Sequence, residues 1–269
     1  MAKRVNLWRQ RRRSLRKALA AFREGHPEGL HDVRVALRRV AATASALGHG
    51  GVARRAKKLV RVLSDRRQLE VDRQLLTRVR ELGVLSPDVA AGLDARWDGL
   101  FASGARAAEK AADGRPMRRL LRRLKDLGTE AEAGMARRLV IARSSCERAI
   151  ALAPEGTSDR ELHRYRVAVK RARYVLEDLA QIGTPDLTTS IERLKVSQEA
   201  LGRWNDVRLF ARRLSRTRRE AERRGAVTLA LELDRLLSAL DRTVEKARAD
   251  AVDATRPLSN VVDLRRRTA

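Results

Sequence analysis

The sequence predicts an all-α protein built from two similar helical halves, and three observations indicate this fold. Ala, Leu, Arg and Glu are abundant, and apolar residues recur with the period of a helix, whereas the alternation typical of strands is almost absent. Pro and Gly cluster at intervals suited to loops between helices. A motif near the start of the chain returns in its second half.

The first predicted helix precedes a break at residues 25–27. Its apolar side carries Val5, Trp8, Leu15, Leu19 and Phe22. The basic run from Arg9 to Arg13 crowds the other side. This amphipathic pattern fits packing as the first helix of a bundle, which we prefer, or contact with an anionic membrane surface.

The later helices are separated by further breaks rich in Gly and Pro. These breaks fall at 48–51, 83–87, 113–116, 154–156 and 183–185, with weaker ones at Gly128 and Gly225. We place the division between the two halves near Gly114. Residues 255–269 contain Pro257, lack helical periodicity and end in three arginines, so we predict a mobile basic tail there.

The internal repeat relates two segments that lie 132 residues apart. The residues from Leu30 to Arg39 read LHDVRVALRR, and those from Leu162 to Arg171 read LHRYRVAVKR. Six positions are identical, and Arg38 is matched by Lys170. A weaker echo follows each copy, so the two halves are predicted to contain equivalent helices in the same order.

The charge of the chain favours a polyanionic partner. Lys and Arg total 60 against 34 Asp and Glu, which gives a net charge of +26, and only nine of the basic residues are lysines. The guanidinium group binds phosphate oxygens in pairs, so an Arg excess suits phosphate recognition. Ordinary solvated helix faces are the alternative explanation. Aromatic residues make up 3% of the chain, too few for base-stacking platforms.

Several classes of protein are disfavoured by what the sequence lacks. The single cysteine, Cys146, rules out intramolecular disulfides and the Cys clusters of zinc and iron–sulfur sites. No apolar run is long enough for a membrane span, and the N-terminus lacks the apolar core of a signal peptide. We therefore expect a soluble cytoplasmic protein. Trp97, Trp204 and Cys146 are expected to pack in the core.

Each copy of the repeat places cations on one face of its helix. At 100° per residue, His31, Arg34 and Arg38 share a face that is distinct from the apolar stripe. His163, Arg166 and Lys170 take the equivalent face in the second copy. Like charges at these spacings repel, and a bound anion would make the arrangement favourable. The apolar stripes consist of Val33, Leu37, Val40, Ala44 and Leu47, and of Tyr165, Val169, Leu176 and Leu179.

Both motif histidines stand near the start of a predicted helix. The helix dipole disfavours a proton on the imidazole there, and a neutral ring can still donate one hydrogen bond to a phosphate oxygen. Capping or packing is the alternative role. The four histidines of the chain have no metal-ligand spacing, and no nucleophile with its base or glycine-rich phosphate loop is found. We therefore predict no metal, no cofactor and no enzymatic activity.

The repeated motif resembles that of a known family. The two segments share His-x-x-Arg-Val-Ala-x-[Arg/Lys]-Arg, and the second continues as KRARY at 170–174 and LGRWND at 201–206. Over nearly the whole chain the sequence resembles the conserved-histidine α-helical domain, or CHAD, family. The resemblance implies two pseudo-symmetric antiparallel four-helix bundles, here residues 1–114 and 115–254. It also implies binding of inorganic polyphosphate, with some members found on polyphosphate granules.

The resemblance also implies which residues face phosphate. These are His31, Arg34, Arg38 and Arg39 in the first half, His163, Arg166, Lys170, Arg171, Arg173 and Tyr174 in the second, and Lys57 and Lys195 in the following helices. Arg203 is a further candidate. The chain departs from the family pattern at Ala41 and Gln68, and we expect Asp206 to cap a helix or to pair with a nearby arginine.

The predicted function is binding of inorganic polyphosphate through a basic surface, with granule association as a further expectation. The alternative is a helical protein that binds nucleic acid, which the net charge alone would support equally well. The sequence leaves the oligomeric state open.

Overall fold

The computed structural model describes residues 6–81, 83, 85–127, 135–151, 158–184, 186–256 and 258. These residues form nine helices and contain no strand, which confirms the predicted all-α class. The helices are α1 (Leu7–Arg23), α2 (Gly29–Ala46), α3 (Gly50–Glu81), α4 (Pro87–Asp113), α5 (Arg115–Leu127), α6 (Met135–Ala151), α7 (Asp159–Gln181), α8 (Thr188–Arg223) and α9 (Val227–Asp253).

Helix order and length repeat along the chain. Helices α1 to α4 contain 17, 18, 32 and 27 residues, and α6 to α9 contain 17, 23, 36 and 27. Consecutive helices pack together in both series, α2 packs against α7, and α3 packs against α8. Contacts between equivalent helices are what a two-fold relation between the halves would produce, so the architecture is compatible with the predicted pseudo-symmetry.

Helix α5 is an additional element between the two series. The boundary that we predicted at Gly114 is the C-cap of α4, and α5 follows it directly. Although the predicted division counted α5 with the second half, this helix packs against α1, α3 and α4.

The predicted breaks coincide with the ends of helices wherever the structure describes them. Gly48 follows the C-cap of α2 with φ 85°, and Gly183 follows the C-cap of α7 with φ 94°. Glycine adopts this left-handed conformation without the clash that a Cβ would cause, so both motif helices end at a glycine. Pro87 begins α4, as expected of a proline at the first position of a helix. The predicted breaks at 154–156 and Gly128 lie outside the described residues.

One core joins the two halves. The apolar stripes of both motif helices are buried, as predicted, and they belong to a single cluster to which all nine described helices contribute. Trp204 is fully buried in this cluster, and Cys146 packs there as well, where burial raises the pKa of its thiol. Trp97 packs against Phe210 in a second cluster, formed by α3, α4, α8 and α9. All three residues therefore pack as expected.

Helix α1 packs within the bundle. Trp8, Leu15 and Leu19 are buried against the main core, and α1 contacts α2 and α5. This confirms bundle packing as the reason for the apolar side of α1. Val5 lies outside the described residues. Among the described helices, none combines the length and the apolar run needed to cross a bilayer.

A buried ion pair links α1 to the second half, contrary to the expectation that the whole run from Arg9 to Arg13 faces away from the core. Arg11 is 2% exposed and binds the carboxylate of Asp178 on α7, which is fully buried. Thr43 of α2 donates to the same carboxylate at 2.6 Å and accepts from Arg11 Nε at 3.2 Å. Arg11 is buried because a buried acid from another helix pairs with it.

The segment that we predicted as a tail begins with packed residues. Leu258 is fully buried in the main core, and the Thr255 side chain donates to the carbonyl oxygen of Val252 at 2.6 Å. Residues 259–269 lie outside the described residues.

Candidate anion-binding cleft

Four helices from the two halves enclose an open cleft with a volume of about 650 Å³. Helices α2 and α3 contribute one wall, and α7 and α8 contribute the other. It is lined by both motif histidines and by the cations that follow them on the same helix faces. We call these cations the basic ladders: Arg34 and Arg38 on α2, and Arg166 and Lys170 on α7. The two ladders come from segments that lie 132 residues apart in the sequence. We call this site the basic cleft, and its charged and imidazole side chains are His31, Arg34, Arg38, Arg67, His163, Arg166, Lys170, Arg203 and Arg208, with the acids Glu199 and Asp206.

The start of each motif helix is fixed by a local device. Helix α7 begins with a capping box, in which the Ser158 hydroxyl accepts from the Glu161 amide at 3.2 Å and the Glu161 carboxylate accepts from the Ser158 amide at 3.1 Å. Helix α2 begins at Gly29, which lies against the backbone of Phe22 so closely that a Cβ would stand 2.6 Å from the Phe22 Cα. His31 lies two residues after the start of α2 and His163 lies four residues after the start of α7, so both histidines are held near a fixed helix end.

The four cations of the two basic ladders lack an acidic partner. Among the described residues, Arg34, Arg38, Arg166 and Lys170 form no ion pair within 4.0 Å, while neighbouring arginines such as Arg39 do. Arg34 is 8% exposed, and the Nε atoms of Arg34 and Arg166 have no hydrogen-bond partner. An unpaired charge that is buried or half-buried costs free energy, and a bound anion would offset that cost.

Burial and neighbouring positive charges lower the pKa values of basic side chains in the cleft. Burial lowers the pKa of Lys170 to about 6, with further lowering by Arg166 and Arg38. Burial also lowers the pKa of Arg34 to about 9, assisted by Arg38 and Arg67. The protonated form of the Lys170 amine is therefore disfavoured without a ligand, and a bound anion would favour it.

The pKa values of the two histidines are lowered, which is the direction that the sequence predicts. Burial lowers the pKa of both rings, and the next cause is Arg67 for His31 and Arg166 for His163. A hydrogen bond with Asn205 acts in the opposite direction on His163. We expected the helix dipole to disfavour the proton, and the structure adds burial and neighbouring arginines as causes.

Asp206 lies among the cations and caps no helix. It is half-buried in the middle of α8, and the Asn205 amide nitrogen lies 3.5 Å from its carboxylate. Its charge raises the pKa values of Arg34, Arg166 and Lys170 without an ion pair within 4.0 Å. Asp206 therefore offsets part of the repulsion between the two ladders, which is a broader role than the pairing with one arginine that we expected.

Two arginines of the cleft were not among the predicted site residues. Arg67 binds Glu70 at 3.2 Å, and Arg208 binds Asp159 at 3.0 Å and lies over the ring of Trp204. Both lie one or two helical turns from other lining residues on α3 and α8, so extending the helical period along these helices would have found them. Gln68, where the family pattern is different, donates to Asp72 at 2.9 Å.

The other predicted residues lie outside the lining of the cleft. Arg39 and Arg173 both bind Glu177, at 3.0 and 3.4 Å, and the Arg173 guanidinium covers the buried ring of Tyr174. Arg171 is exposed on α7, and Lys57 is exposed on α3. Lys195 pairs with Glu192 one turn earlier on α8. Only Arg203 joins the predicted ladders in the cleft.

No group of three or more His, Cys, Asp or Glu side chains that could hold a metal ion is found within the described part of the chain. The lining of the cleft is instead dominated by arginine, lysine and imidazole groups. What the cleft can do chemically is bind an anion with several donors at once.

Comparisons with known proteins agree with the fold and with the motif. Residues 6–215 match the CHAD domain. Among solved structures, the chain is similar to PptA from Streptomyces chartreusis, with 21% identity, a TM-score of 0.73, and coverage of 92% of this chain and 95% of the other. It is also similar to the CHAD domain from the plant Ricinus communis, with 22% identity, a TM-score of 0.72, and coverage of 94% and 89%. No curated protein matches the sequence.

Proposed function

The chain belongs to the CHAD domain family, and on that premise we propose that it binds inorganic polyphosphate in the basic cleft. The observation that carries this proposal is the set of unpaired cations, Arg34, Arg38, Arg166 and Lys170, which two halves of the chain bring to one cleft. A polymer with a charge on every phosphate would engage both ladders at the same time. Binding would also remove the repulsion between them.

The lining of the cleft suits a polymer without bases. Among the described lining residues, the only aromatic rings are the two imidazoles, and Trp204 is buried beneath Arg208. Proteins that bind single-stranded nucleic acid stack bases on exposed aromatic rings, so this cleft favours polyphosphate over that alternative. The neutral histidines can each donate one hydrogen bond to a phosphate oxygen.

The cleft variant R38Q/R166Q/K170Q tests the assignment by calorimetry with polyphosphate. We expect it to bind at least about tenfold more weakly than the unmodified protein, and with a shallower dependence on salt, because fewer counterions are released. The matched control is R235Q/R242Q/K246Q, which makes the same changes of residue type at exposed positions of α9. Equal weakening in both variants, or no weakening in the cleft variant, would overturn the site.

Nucleic acid is the competing ligand class, because the net charge of +26 also favours DNA and RNA. A competition experiment at equal phosphate concentration separates the two. We expect polyphosphate to remain bound in the presence of duplex DNA or RNA. Displacement by either duplex would replace polyphosphate with nucleic acid as the preferred ligand.

We further propose that the cleft binds polyphosphate without cleaving it. Incubation with polyphosphate and a divalent cation, followed by gel analysis of chain length and assay for phosphohistidine, should show neither shortening nor modification.

Binding of this kind would place the protein on polyphosphate granules. A fluorescent fusion should follow the granules, and the cleft variant should lose that localisation.

A further inference from the structure

Helix α5 carries a second concentration of positive charge. Its 13 residues include six Arg or Lys and one acid, Asp126, and all six cations are exposed. The opposite side of α5 is anchored by Met117, Leu120, Leu124 and Leu127, which are buried in the main core. The core therefore fixes the helix while its basic side remains open to solvent.

Helix α1 lies beside α5 and continues the basic surface. The two helices pack together, and Arg23 of α1 binds Asp113, two residues before α5, at 2.7 Å. Arg16, Arg12 and Arg9 precede Arg23 by 7, 11 and 14 residues, so they share its side of the helix. Helix α1 contains no acidic residue.

The cations on this surface are not neutralised by acids. Within the described ranges, no ion pair within 4.0 Å involves Arg9, Arg12 or Arg16 of α1, or Arg119, Arg122 or Lys125 of α5. The Nε atom of Arg12 also lacks a hydrogen-bond partner. We call these six residues the α1–α5 face. Some arginines elsewhere on the surface do pair with acids, as Arg80 does with Asp94 and Arg96 with Glu220.

The α1–α5 face is separate from the basic cleft. None of its six residues lines the cleft, which is formed by α2, α3, α7 and α8. Helix α5 packs instead against α1, α3 and α4. A ligand held by α5 therefore uses different side chains from a ligand held in the cleft.

We propose that the α1–α5 face is a second polyphosphate-binding surface, an inference that rests on the proposed function of the cleft. Packed helices lie about 8–10 Å apart, so the two rows of cations form one strip along which a chain of phosphates can lie. The face consists of Arg and Lys, and it has neither an exposed aromatic ring nor an Asn or Gln among its six residues. It therefore offers donors for phosphate oxygens and no aromatic ring on which successive bases could stack.

Two separate surfaces give the protein a property that one cleft lacks. A molecule with both surfaces can hold two strands of polyphosphate, or two parts of one long chain. Linked binding of this kind raises the overall affinity for long polymers without any new contact. It also allows the protein to bridge separate polymers into larger assemblies.

Calorimetry with short-chain polyphosphate, on the full chain, tests the second surface. The unmodified protein should show two classes of site. The α5 variant R119Q/R122Q/K125Q should lose the weaker class and keep the tighter one, and the cleft variant should show the reverse. The matched control R235Q/R242Q/K246Q, with the same change of charge and residue type, should keep both. An α5 variant that binds like the control would overturn the second surface and leave the cleft assignment intact.

Light scattering with long-chain polyphosphate gives an independent readout. Mixtures with the unmodified protein should scatter strongly because strands are bridged, whereas the α5 variant should bind the polymer and scatter several-fold less. The α1 variant R9Q/R12Q/R16Q should behave like the α5 variant, and circular dichroism should show that both remain helical. The proposal would be overturned if both variants and the control scattered equally. It would also be overturned if duplex RNA, at equal phosphate concentration, displaced short polyphosphate from this face.

Discussion

Lys170 shows at the scale of one residue how the cleft couples charge to binding. Its amine lies between Arg166 of its own helix and Arg38 of α2, and burial is the main reason that its pKa falls to about 6. An anion in the cleft reverses the balance, because it stabilises the protonated amine. We therefore expect the residue to gain a proton when polyphosphate binds.

This coupling predicts a pH dependence of polyphosphate affinity. Above a pH of about 6 the free protein holds Lys170 neutral, so binding takes up a proton and affinity should fall as the pH rises. His31 and His163, whose pKa values are also lowered, act in the same direction. K170R should keep a charge at this position through the neutral pH range, so the part of the pH dependence that is due to Lys170 should become smaller. Calorimetry across a pH series measures both proteins, and identical profiles would contradict the role of Lys170.

Individual residues were predictable to the extent that helical spacing determines their positions. The period of the repeat was enough to place His31, Arg38 and Lys170 on one side of their helices. It could not show that Arg39 and Arg173 share Glu177, because Arg39 and Glu177 lie on different helices and meet only after the halves pack. The burial of Arg11 against Asp178, 167 residues away, depends on the same packing.

At the scale of the element, the position of α2 depends on its first residue. Gly29 lies against the backbone of Phe22, so a Cβ there must push α1 and α2 apart. G29A should lower the free energy of unfolding by about 2 kcal/mol, in the range of other overpacked sites. Urea unfolding measures the change.

Gly51 offers the matched control for this substitution. It lies in the first turn of α3, and a Cβ at this position would meet no atom within 4 Å. G51A should leave stability unchanged or raise it by up to about 1 kcal/mol, since alanine is the better helix former. Equal destabilisation by both substitutions would show that the contact with Phe22 is not the cause.

The buried pair between α1 and α7 makes a second prediction at this scale. R11M leaves the Asp178 carboxylate buried with Thr43 as its remaining close donor, so it should lower the free energy of unfolding by about 3–5 kcal/mol. The double variant R11M/D178L removes both charges and should recover much of the loss. Chemical denaturation of the single and double variants tests this coupling, and simple additivity of the two losses would contradict it.

Most helix ends followed from local signals, whereas the role of one helix did not. Gly48, Gly183 and Pro87 mark ends that any reader of the sequence can place from backbone sterics. The sequence shows equally clearly that α5 is an amphipathic helix. It does not show that the apolar side of α5 packs against α1, α3 and α4. That packing depends on the three-dimensional arrangement of the other helices.

At the scale of the whole molecule, the positive charge is concentrated by the meeting of the two halves. The repeat predicted two equivalent ladders, and the packing of α2 against α7 turns both of them toward one cleft. Two ladders on opposite sides of the molecule would have satisfied the same sequence pattern. The convergence is therefore a property of the interface between the halves, and it is the basis for proposing one polymer across both.

A crystal structure with a short polyphosphate bound tests this central claim most directly. We predict that consecutive phosphates of one chain lie within hydrogen-bond distance of Arg38 on α2 and of Arg166 and Lys170 on α7. A chain bound by one half alone, or bound with the cleft between α2 and α7 left empty, would contradict it.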